Sequence, residues 1–533
     1  MKVTQIPFQQ TGFFSKTMLD YLEQKETIKP FYNNFSDIEG FNNQLKEKTA
    51  SFTNNQRKVL VEALQHQYKE VEVSEATENN INSLINSNTF TVTTGHQLNL
   101  FTGPLYFLYK IISAINLAEE FSVQFPENNF VPIYWMATED HDFEEINYFN
   151  FKGKKFQWNR EANGAVGELS TKGLDEVLEM LSLDLGVTTN AEAIKGLFKS
   201  AYLEHDNLAD ATRFLANELF KDYGLVIIDA NDAELKRLFI PYLETELFNK
   251  TSFNEVLKTN KKLSKLSEHY KIQVNPREIN LFYLDKGIRE RIVYDENVFK
   301  VLNTNIVWNK SEIKKTLLEF PERFSPNVIM RPLYQEVILP NLCYLGGGGE
   351  LAYWMQLKDY FEKVDVVFPI LLLRNSVLIK NSKQTKKLQK LNISNEDLFL
   401  RKDSLINKKV REISNIDIDF STQAIHLKQQ FKDLYKLTEQ TDKSFLGAVK
   451  AQEIKQLKGL DNLEKRLLKA QKRKLSDEVQ RMTDIKNELF PNGNLQERNT
   501  NFSEFYLEYG EQLIPKLIEC LEPLKGEFTI ITI

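Results

Sequence analysis

Cysteine is nearly absent: Cys343 and Cys520 are the only two in 533 residues. That excludes a disulfide scaffold and fits a reducing compartment with two buried thiols. Long apolar runs are missing too. The stretch Phe368-Pro-Ile-Leu-Leu-Leu373 falls far short of the roughly twenty residues that cross a bilayer, so no membrane partner is expected. The opening Met1-Lys-Val-Thr-Gln-Ile-Pro7 has no basic region followed by an apolar segment and a small-residue cleavage site, which predicts a cytoplasmic location. An overall basic excess is also lacking. Sixty-eight Lys and Arg face 74 Asp and Glu, a net charge of −6, and this argues against a nucleic-acid partner, which needs clustered cations against phosphates.

Several catalytic signatures are absent as well. There is no G-x-S-x-G elbow, H-E-x-x-H or C-x-x-C pair, G-x-G-x-x-G, or P-loop with Lys-Ser or Lys-Thr after a spaced glycine pair. Hydrolysis by a triad and tight binding of a transition metal are therefore not expected. What remains is a chain 42% hydrophobic and 27% charged, an ordinary globular composition with room for roughly three or four domain-sized units.

Residues 1–88 read as a helical N-terminal segment, with Val59, Leu60, Ala63, Leu64 and Tyr68 at helical spacing. Thr89 to Thr94 is a β-branched run predicting a strand; it feeds Gly95-His96-Gln97, then Gly103-Pro104 and a helix over 105–121. A second strand, 130–136, stops at Ala137-Thr-Glu-Asp-His-Asp142. Parallel strands ending side by side would share one crevice, and 89–146 forms the first half of an α/β core. The Gly-rich segment 147–205 reads as an insertion. A helix over 208–223, a strand over 225–229 and a helix over 232–248 resume the rhythm in a second half, 206–380, which carries a further mixed insertion. Short strands are expected there at 271–274, 280–284 and 291–294. A strand at 342–345 then leads through four glycines, Gly346 to Gly349, into a helix from Glu350 to Phe361.

Residues 371–410 hold ten Lys or Arg and three Asp or Glu, which suits either a solvated helical face or a docking surface for an anion. From 381 to 495 the chain is rich in Lys, Gln and Leu. Leu457, Leu460, Leu463, Leu467, Ala470, Val479, Met482, Ile485 and Leu489 form a seam for a coiled coil or helical hairpin, with Leu475 fitting imperfectly. Residues 496–533 read as a helix over 505–521 and a strand over 528–533 returning to the core.

Three constellations could carry chemistry. At Gly95, His96 and Gln97, with Gly103 and Lys110, a bare backbone can approach phosphate, helix-start amides favour anions, and an imidazole can donate to changing charge. The alternative is a plain strand-to-helix turn. At Glu139, Asp140, His141 and Asp142, carboxylates beside an imidazole can raise its basicity and orient it as a base, or hold Mg²⁺ through water; the alternative is a solvated acidic loop. At Gly346, Gly347, Gly348 and Gly349 with Glu350, the entropic cost of consecutive glycines points to close backbone approach by a ligand. Arg331, Gln335 and Glu336 lie just upstream, and the Arg331 guanidinium suits a carboxylate or phosphate.

The stretches Thr94 to Tyr106 with Lys110, Trp135 to Asn147, Arg331 to Glu336 and Leu345 to Trp354 resemble the bacillithiol biosynthesis cysteine-adding enzyme family over essentially the whole chain. The resemblance implies a ligase joining cysteine to glucosaminyl malate; because amide formation from a free carboxylate is uphill in water, carboxylate activation by ATP with Mg²⁺ is expected. The resemblance also implies a Rossmann-like core related to nucleotidyltransferases and class I aminoacyl-tRNA synthetases, and a coiled-coil arm that pairs two copies as a homodimer. Under it Gly95, His96 and Gln97 occupy the place of the histidine-rich phosphate signature; in the expected chemistry Gly103 and Lys110 join them at phosphate, and His141 with Asp140 and Asp142 orients or deprotonates the attacking amine. Arg331, Gln335, Glu336, Gly347, Gly348 and Glu350 contact substrate. No Lys-Met-Ser-Lys-Ser loop is present, leaving the basic side chains at 380–390 as the candidate second phosphate clamp. The rival reading is a nucleotide-regulated scaffold that assembles through its arm; a third is metal-dependent hydrolysis of a thiol conjugate.

Overall fold

In the computed structural model, which describes residues 2–441 and 443–533, the threonine-rich run becomes strand β1 (Thr89–His96), buried along its whole length. β-branched threonines favour the extended backbone, and burial obliges their hydroxyls to find acceptors. Thr91 and Thr93 donate to Asn341 Oδ1 at 3.3 and 2.8 Å, and Thr94 donates to the Leu345 carbonyl at 2.9 Å. Four further strands complete a parallel sheet: β2 (Asn129–Met136), β3 (Val226–Asp229), β4 (Asn341–Gly346) and β5 (Ile370–Leu373). Their order is β3-β2-β1-β4-β5. The chain winds outward from β1 in one direction and then, from β4, in the other, so the strand order reverses between β1 and β4. In open α/β sheets a crevice opens at that reversal, outside the carboxyl ends of the strands.

Helices α1 (Tyr106–Gln124), α2 (Leu208–Phe220), α3 (Ala233–Asn249), α4 (Arg331–Ile338) and α5 (Gly348–Met355) surround the sheet. Gly224 in the left-handed conformation stops the chain after α2, and Asp232 caps α3 through the amides of Glu234 and Leu235, in keeping with the sequence signals. The insertion at 147–205 contains a hairpin, Tyr148–Phe151 with Lys154–Gln157, and two helices, Leu174–Leu185 and Thr189–Leu203. The mixed insertion is a five-stranded antiparallel sheet in which Leu281–Asp285 lies between Ile288–Asp295 and Phe324–Pro326.

Four expectations are corrected. Lys2–Pro7, inside the segment read as helical, is a strand paired antiparallel with Glu527–Thr532; its partner is so distant in sequence that no local pattern announces it. Residues 271–274 form no strand, because the amides of Gln273 and Val274 bond to Gln356 Oε1 at 2.7 and 3.2 Å instead of to a neighbouring strand. The helix expected from Glu350 to Phe361 starts two residues earlier and breaks at Gln356-Leu357 before Lys358–Lys363. The helix expected at 505–521 is split by Gly510, at φ +57°, into Ser503–Tyr509 and Leu513–Cys520.

The arm consists of α6 (Ser421–Thr438), α7 (Lys443–Lys474) and α8 (Ser476–Leu489). α6 and α7 pack as a hairpin with Phe431 and Val449 buried, and Leu475, the residue that fits the seam poorly, is the break before α8. Residues 527–532 return to the body, where they join 2–7 and 377–380 in a separate three-stranded sheet. Cys343 and Cys520 are both buried. Among the described residues no helix is long and apolar enough to cross a membrane.

The helix Ile38–Ser51 is pinned to the core by Lys48, whose Nζ donates to Glu336 Oε2 at 3.1 Å with both side chains almost wholly buried. Glu336 also accepts from Asn341 at 2.7 Å and Gln335 at 2.9 Å. Burial pushes its carboxyl above the usual range, against the pull of Lys48. Glu336, expected to contact substrate, is thus committed to structure. Removing one partner of such a pair leaves an uncompensated buried charge. Lys48→Ala should destabilise the protein by about 3–5 kcal/mol in urea denaturation, and the double change Lys48→Met with Glu336→Gln should recover most of that loss.

Candidate functional site

At the carboxyl ends of β1, β2 and β4 lies a cleft of about 540 Å³. Gly95 and His96 reach it from β1, Trp135 and the segment 137–142 from β2, Tyr344 from β4, and Arg331 and Glu350 from the starts of α4 and α5. Segments near positions 95, 141, 331 and 350, far apart in the chain, therefore meet around one hollow.

Its floor is held by Lys110. From α1 its Nζ donates to the Gly95 carbonyl at 2.7 Å and pairs with Glu350 Oε1 at 2.5 Å. Glu350 Oε2 accepts from the Tyr344 hydroxyl at 3.2 Å. Burial pulls the Lys110 ammonium below its ordinary value. For Glu350 burial works upward, but Lys110 more than offsets it and holds the carboxyl low. A Cβ on Gly95 would sit 3.2 Å from the Tyr344 hydroxyl, and one on Gly346 would sit 3.0 Å from Glu350 Oε2, so both glycines make room for this network. Lys110, expected to clamp phosphate, has two of its three donors engaged here.

Arg331 lies among Trp135, Tyr344 and Trp354, its guanidinium carbon 5.5–5.7 Å from the three ring centroids. Nη1 donates to Gln335 Oε1 at 3.0 Å, while Nη2 is buried without a hydrogen-bond partner. A buried unpaired donor of this kind is costly unless an acceptor arrives. Gln335, itself fully buried, does not line the cleft; it orients Arg331.

His96 is buried against Tyr106 and Phe107. Burial, followed by the charge of Lys110, lowers its pKa to about 3, so the ring is neutral at physiological pH. Its Nδ1 lies 2.7 Å from the Gln97 carbonyl, which requires the proton on Nδ1 and leaves Nε2 with a lone pair. Nε2 has no partner. The expected donation from His96 to a phosphate is thus replaced by the capacity to accept.

The acidic loop is similarly fixed. Gln97 Nε2 donates to Asp140 Oδ2 at 2.9 Å and Glu145 Oε2 at 3.1 Å, so this side chain is engaged within the loop. Asp140 also accepts from the His141 amide at 2.7 Å. Burial opposes its ionisation, but the His141 and Gln97 hydrogen bonds prevail and hold it well below the usual range. Glu139 pairs with the buried Lys236. Arg289, which nothing in the local sequence pattern marked, donates from Nη1 to His141 Nδ1 at 2.5 Å. A guanidinium cannot accept, so the proton of the neutral ring stands on Nε2, 3.9 Å from Asp142 Oδ1. In this arrangement His141 is a donor, and the basic role expected of it is not available. Asp140, His141 and Asp142 each offer a ligand atom within 4.8 Å of the others, but Arg289 already occupies the imidazole nitrogen that faces it.

Gly103 lies away from the cleft. Phe101, Thr102 and Gly103 have φ of +47°, +67° and +62°, a left-handed run unusual for the first two. Asn501 donates to the carbonyls of Phe101 and Gly103 at 2.7 and 2.6 Å, and Thr500 accepts from the Leu105 amide at 2.8 Å. The glycine serves this clasped turn. Gly347 and Gly348 border the cleft without lining it, and a Cβ on Gly348 would face Met18 and Phe14. Gly347 precedes α5 with no side-chain cap, leaving the first amides of that helix available. No residue from 380 to 390 lines the cleft. Besides Arg289, sequence reasoning missed Tyr106 at the start of α1, Tyr344 in β4 and Tyr353 in α5 as cleft residues; aromatic residues inside regular elements read as core.

Two family models match the chain: the N-terminal Rossmann-like domain of bacillithiol biosynthesis BshC over residues 1–375, and its C-terminal coiled-coil domain over 377–533. A Flavobacterium johnsoniae protein named "Putative cysteine ligase BshC" is 59% identical over 528 residues, covering 99% of each chain. Its namesake from Christiangramia forsetii is 58% identical, with 99% of this chain and 98% of that one covered. A more distant namesake, from Salinibacter ruber, is 30% identical over 96% of this chain and 95% of its own. With both domain models matched and the parallel sheet in the Rossmann-like order, the chain belongs to the bacillithiol biosynthesis BshC family.

Proposed function

We propose that the protein is a cytoplasmic ligase that forms the amide bond between the carboxyl group of L-cysteine and the amine of glucosaminyl malate, with ATP and Mg²⁺ as co-substrate. The observation that carries this reading is the donor set at the strand reversal: a buried Arg331 Nη2 without an acceptor, beside the uncapped start of α5. Both suit an anionic oxygen, from a carboxylate or a phosphate. Family membership supports cysteine as one substrate, since the namesakes are called cysteine ligases.

A free carboxylate does not condense with an amine in water, and phosphoryl transfer from the nucleotide turns one carboxyl oxygen into a leaving group. The protein's share is binding and orientation. Arg331 holds the anion, fixed by Gln335 and three aromatic rings. Lys110 and Glu350 keep the ends of β1 and α5 at a constant separation. His96 Nε2 accepts from an N–H or S–H of the bound amino acid, and His141 Nε2–H directs the acceptor. As the amine nitrogen forms the C–N bond and the carboxyl oxygen departs with its phosphoryl group, the nitrogen gives up a proton to Asp142. That residue is more than half exposed and passes the proton to water.

The arm completes the reading as a homodimer contact. Ile425, Leu434 and Leu437 on α6 and Leu446, Ile454 and Leu463 on α7 are exposed, which supports pairing with a second copy.

Purified protein given cysteine, glucosaminyl malate and ATP-Mg²⁺ should yield bacillithiol and one nucleotide product per amide by mass spectrometry; amide formation with ATP untouched would remove the activation step. Arg331→Lys, which replaces a planar fork with a point charge, should lower kcat/KM on the order of a hundredfold, about 2.7 kcal/mol, while thermal unfolding stays near that of the wild type. For the arm, light scattering should report a dimer, and Leu446→Glu with Ile454→Glu should shift it toward the monomer mass.

A further inference from the structure

A second cavity, of about 430 Å³, lies against the first and shares two residues with it, His141 and Arg289. Its character is different. The main cleft is walled by Trp135, Tyr344 and Tyr353, whereas this one is lined by Asn163, Glu290, Asn303 and Thr304, with only Ala162 and Ile288 apolar. It forms where the 147–205 insertion meets the antiparallel sheet of the second insertion. At that meeting Gly164, at φ +80°, packs so closely on Gly287 that a Cβ would lie 3.0 Å from its backbone. Two loops from separate insertions are thus brought into contact beside the His141–Arg289 pair.

The polar groups of this hollow are the kind that bind hydroxyls. Asn303 Nδ2 donates to both oxygens of Glu290 at 3.2 Å, holding a carboxylate beside an amide at the rim. A carboxylate and an amide side by side can accept from and donate to adjacent hydroxyls of a sugar ring. A hollow so lined offers little to an apolar ligand. On the wall between the cavities, Arg289 lies 4.0 Å from the Phe282 ring centroid, and its Nε is buried with no partner.

We infer that this polar cavity is the sugar subsite of the acceptor. Glu290 and Asn303 take the ring hydroxyls, so that the amine reaches the His141–Arg289 wall and meets the activated carboxyl in the main cleft. The two substrates of one amide bond then approach from two chambers, and His141 stands between them. The assignment rests on the ligase reading given above and adds the class of ligand, a polyhydroxylated amine, to a place outside the strand-end cleft.

Hydroxylamine separates the two levels of this scheme. It is an acceptor without a sugar, so hydroxamate formed from cysteine and ATP-Mg²⁺ by the full-length enzyme reports carboxyl activation alone. With hydroxylamine and the amino-sugar acceptor in competition, Glu290→Ala should lower the ratio of amide to hydroxamate roughly tenfold or more, through a higher KM for the sugar substrate. Asn303→Ala should act in the same direction. Wild-type hydroxamate with an unchanged ratio in both variants overturns the subsite and leaves the ligase reading standing. Absence of hydroxamate and amide from the wild-type enzyme overturns both.

Discussion

The arrangement depends on one buried ammonium. Lys110 joins the carbonyl that ends β1 to the carboxylate that opens α5, and so spans the place where the sheet reverses its winding. The ladder between β1 and β4 sets the spacing of the two strands, and this link ties the start of α5 to the end of β1 above it. A surface ion pair would do this weakly, because water screens it and two long side chains must be ordered to make it. Here the ammonium is almost wholly buried, so water competes little for it, and the Tyr344 hydroxyl takes the remaining carboxylate oxygen. The cation that looks most available for a ligand is therefore part of the frame, whereas the buried guanidinium of Arg331 keeps one nitrogen unpaired and can meet an anion.

Around this frame the chain adds material in proportion to what the reaction needs. The parallel sheet supplies the strand ends, and the two insertions supply Arg289 and the wall beyond His141. The segment after the arm supplies Thr500 and Asn501, which clasp the turn at 101–103. Arg374, just past β5, pairs with Glu497 at 2.8 Å beneath the Tyr106 ring. The two matched domains thus meet in a polar seam.

The central strands were legible because β-branched and aliphatic runs bounded by glycine have few other uses, and because Gly224 and Asp232 mark helix ends by local chemistry. Gly95, His141, Arg331 and Glu350 could be chosen from sequence since they sit at strand ends or helix starts. Their partners could not. Nothing near Glu336 says that Lys48 will meet it, or that the amide of Gln97 will turn to Asp140 and Glu145. A side chain's position along the chain indicates which end of an element it occupies, whereas its hydrogen-bond partners depend on what packs there from hundreds of residues away. That is why placements were more legible than roles, and why His96 and Lys110 changed character once their neighbours were known. The strand at 2–7 and the lost strand at 271–274 have the same cause, since strand pairing is a property of two segments.

The pairing of residues 2–7 with 527–532 bears on the order in which the molecule can be completed during its own synthesis. Translation proceeds at roughly 5–20 residues per second, so the first strand waits about half a minute or longer for its mate. The central β strands can close well before then. In the interval the amino-terminal edge is open and Arg374, packed on the cleft residue Tyr106, lacks Glu497, so the newborn protein passes through a stage in which the cleft is outlined but not yet braced. The ribosome releases a finished sheet before it releases a finished site.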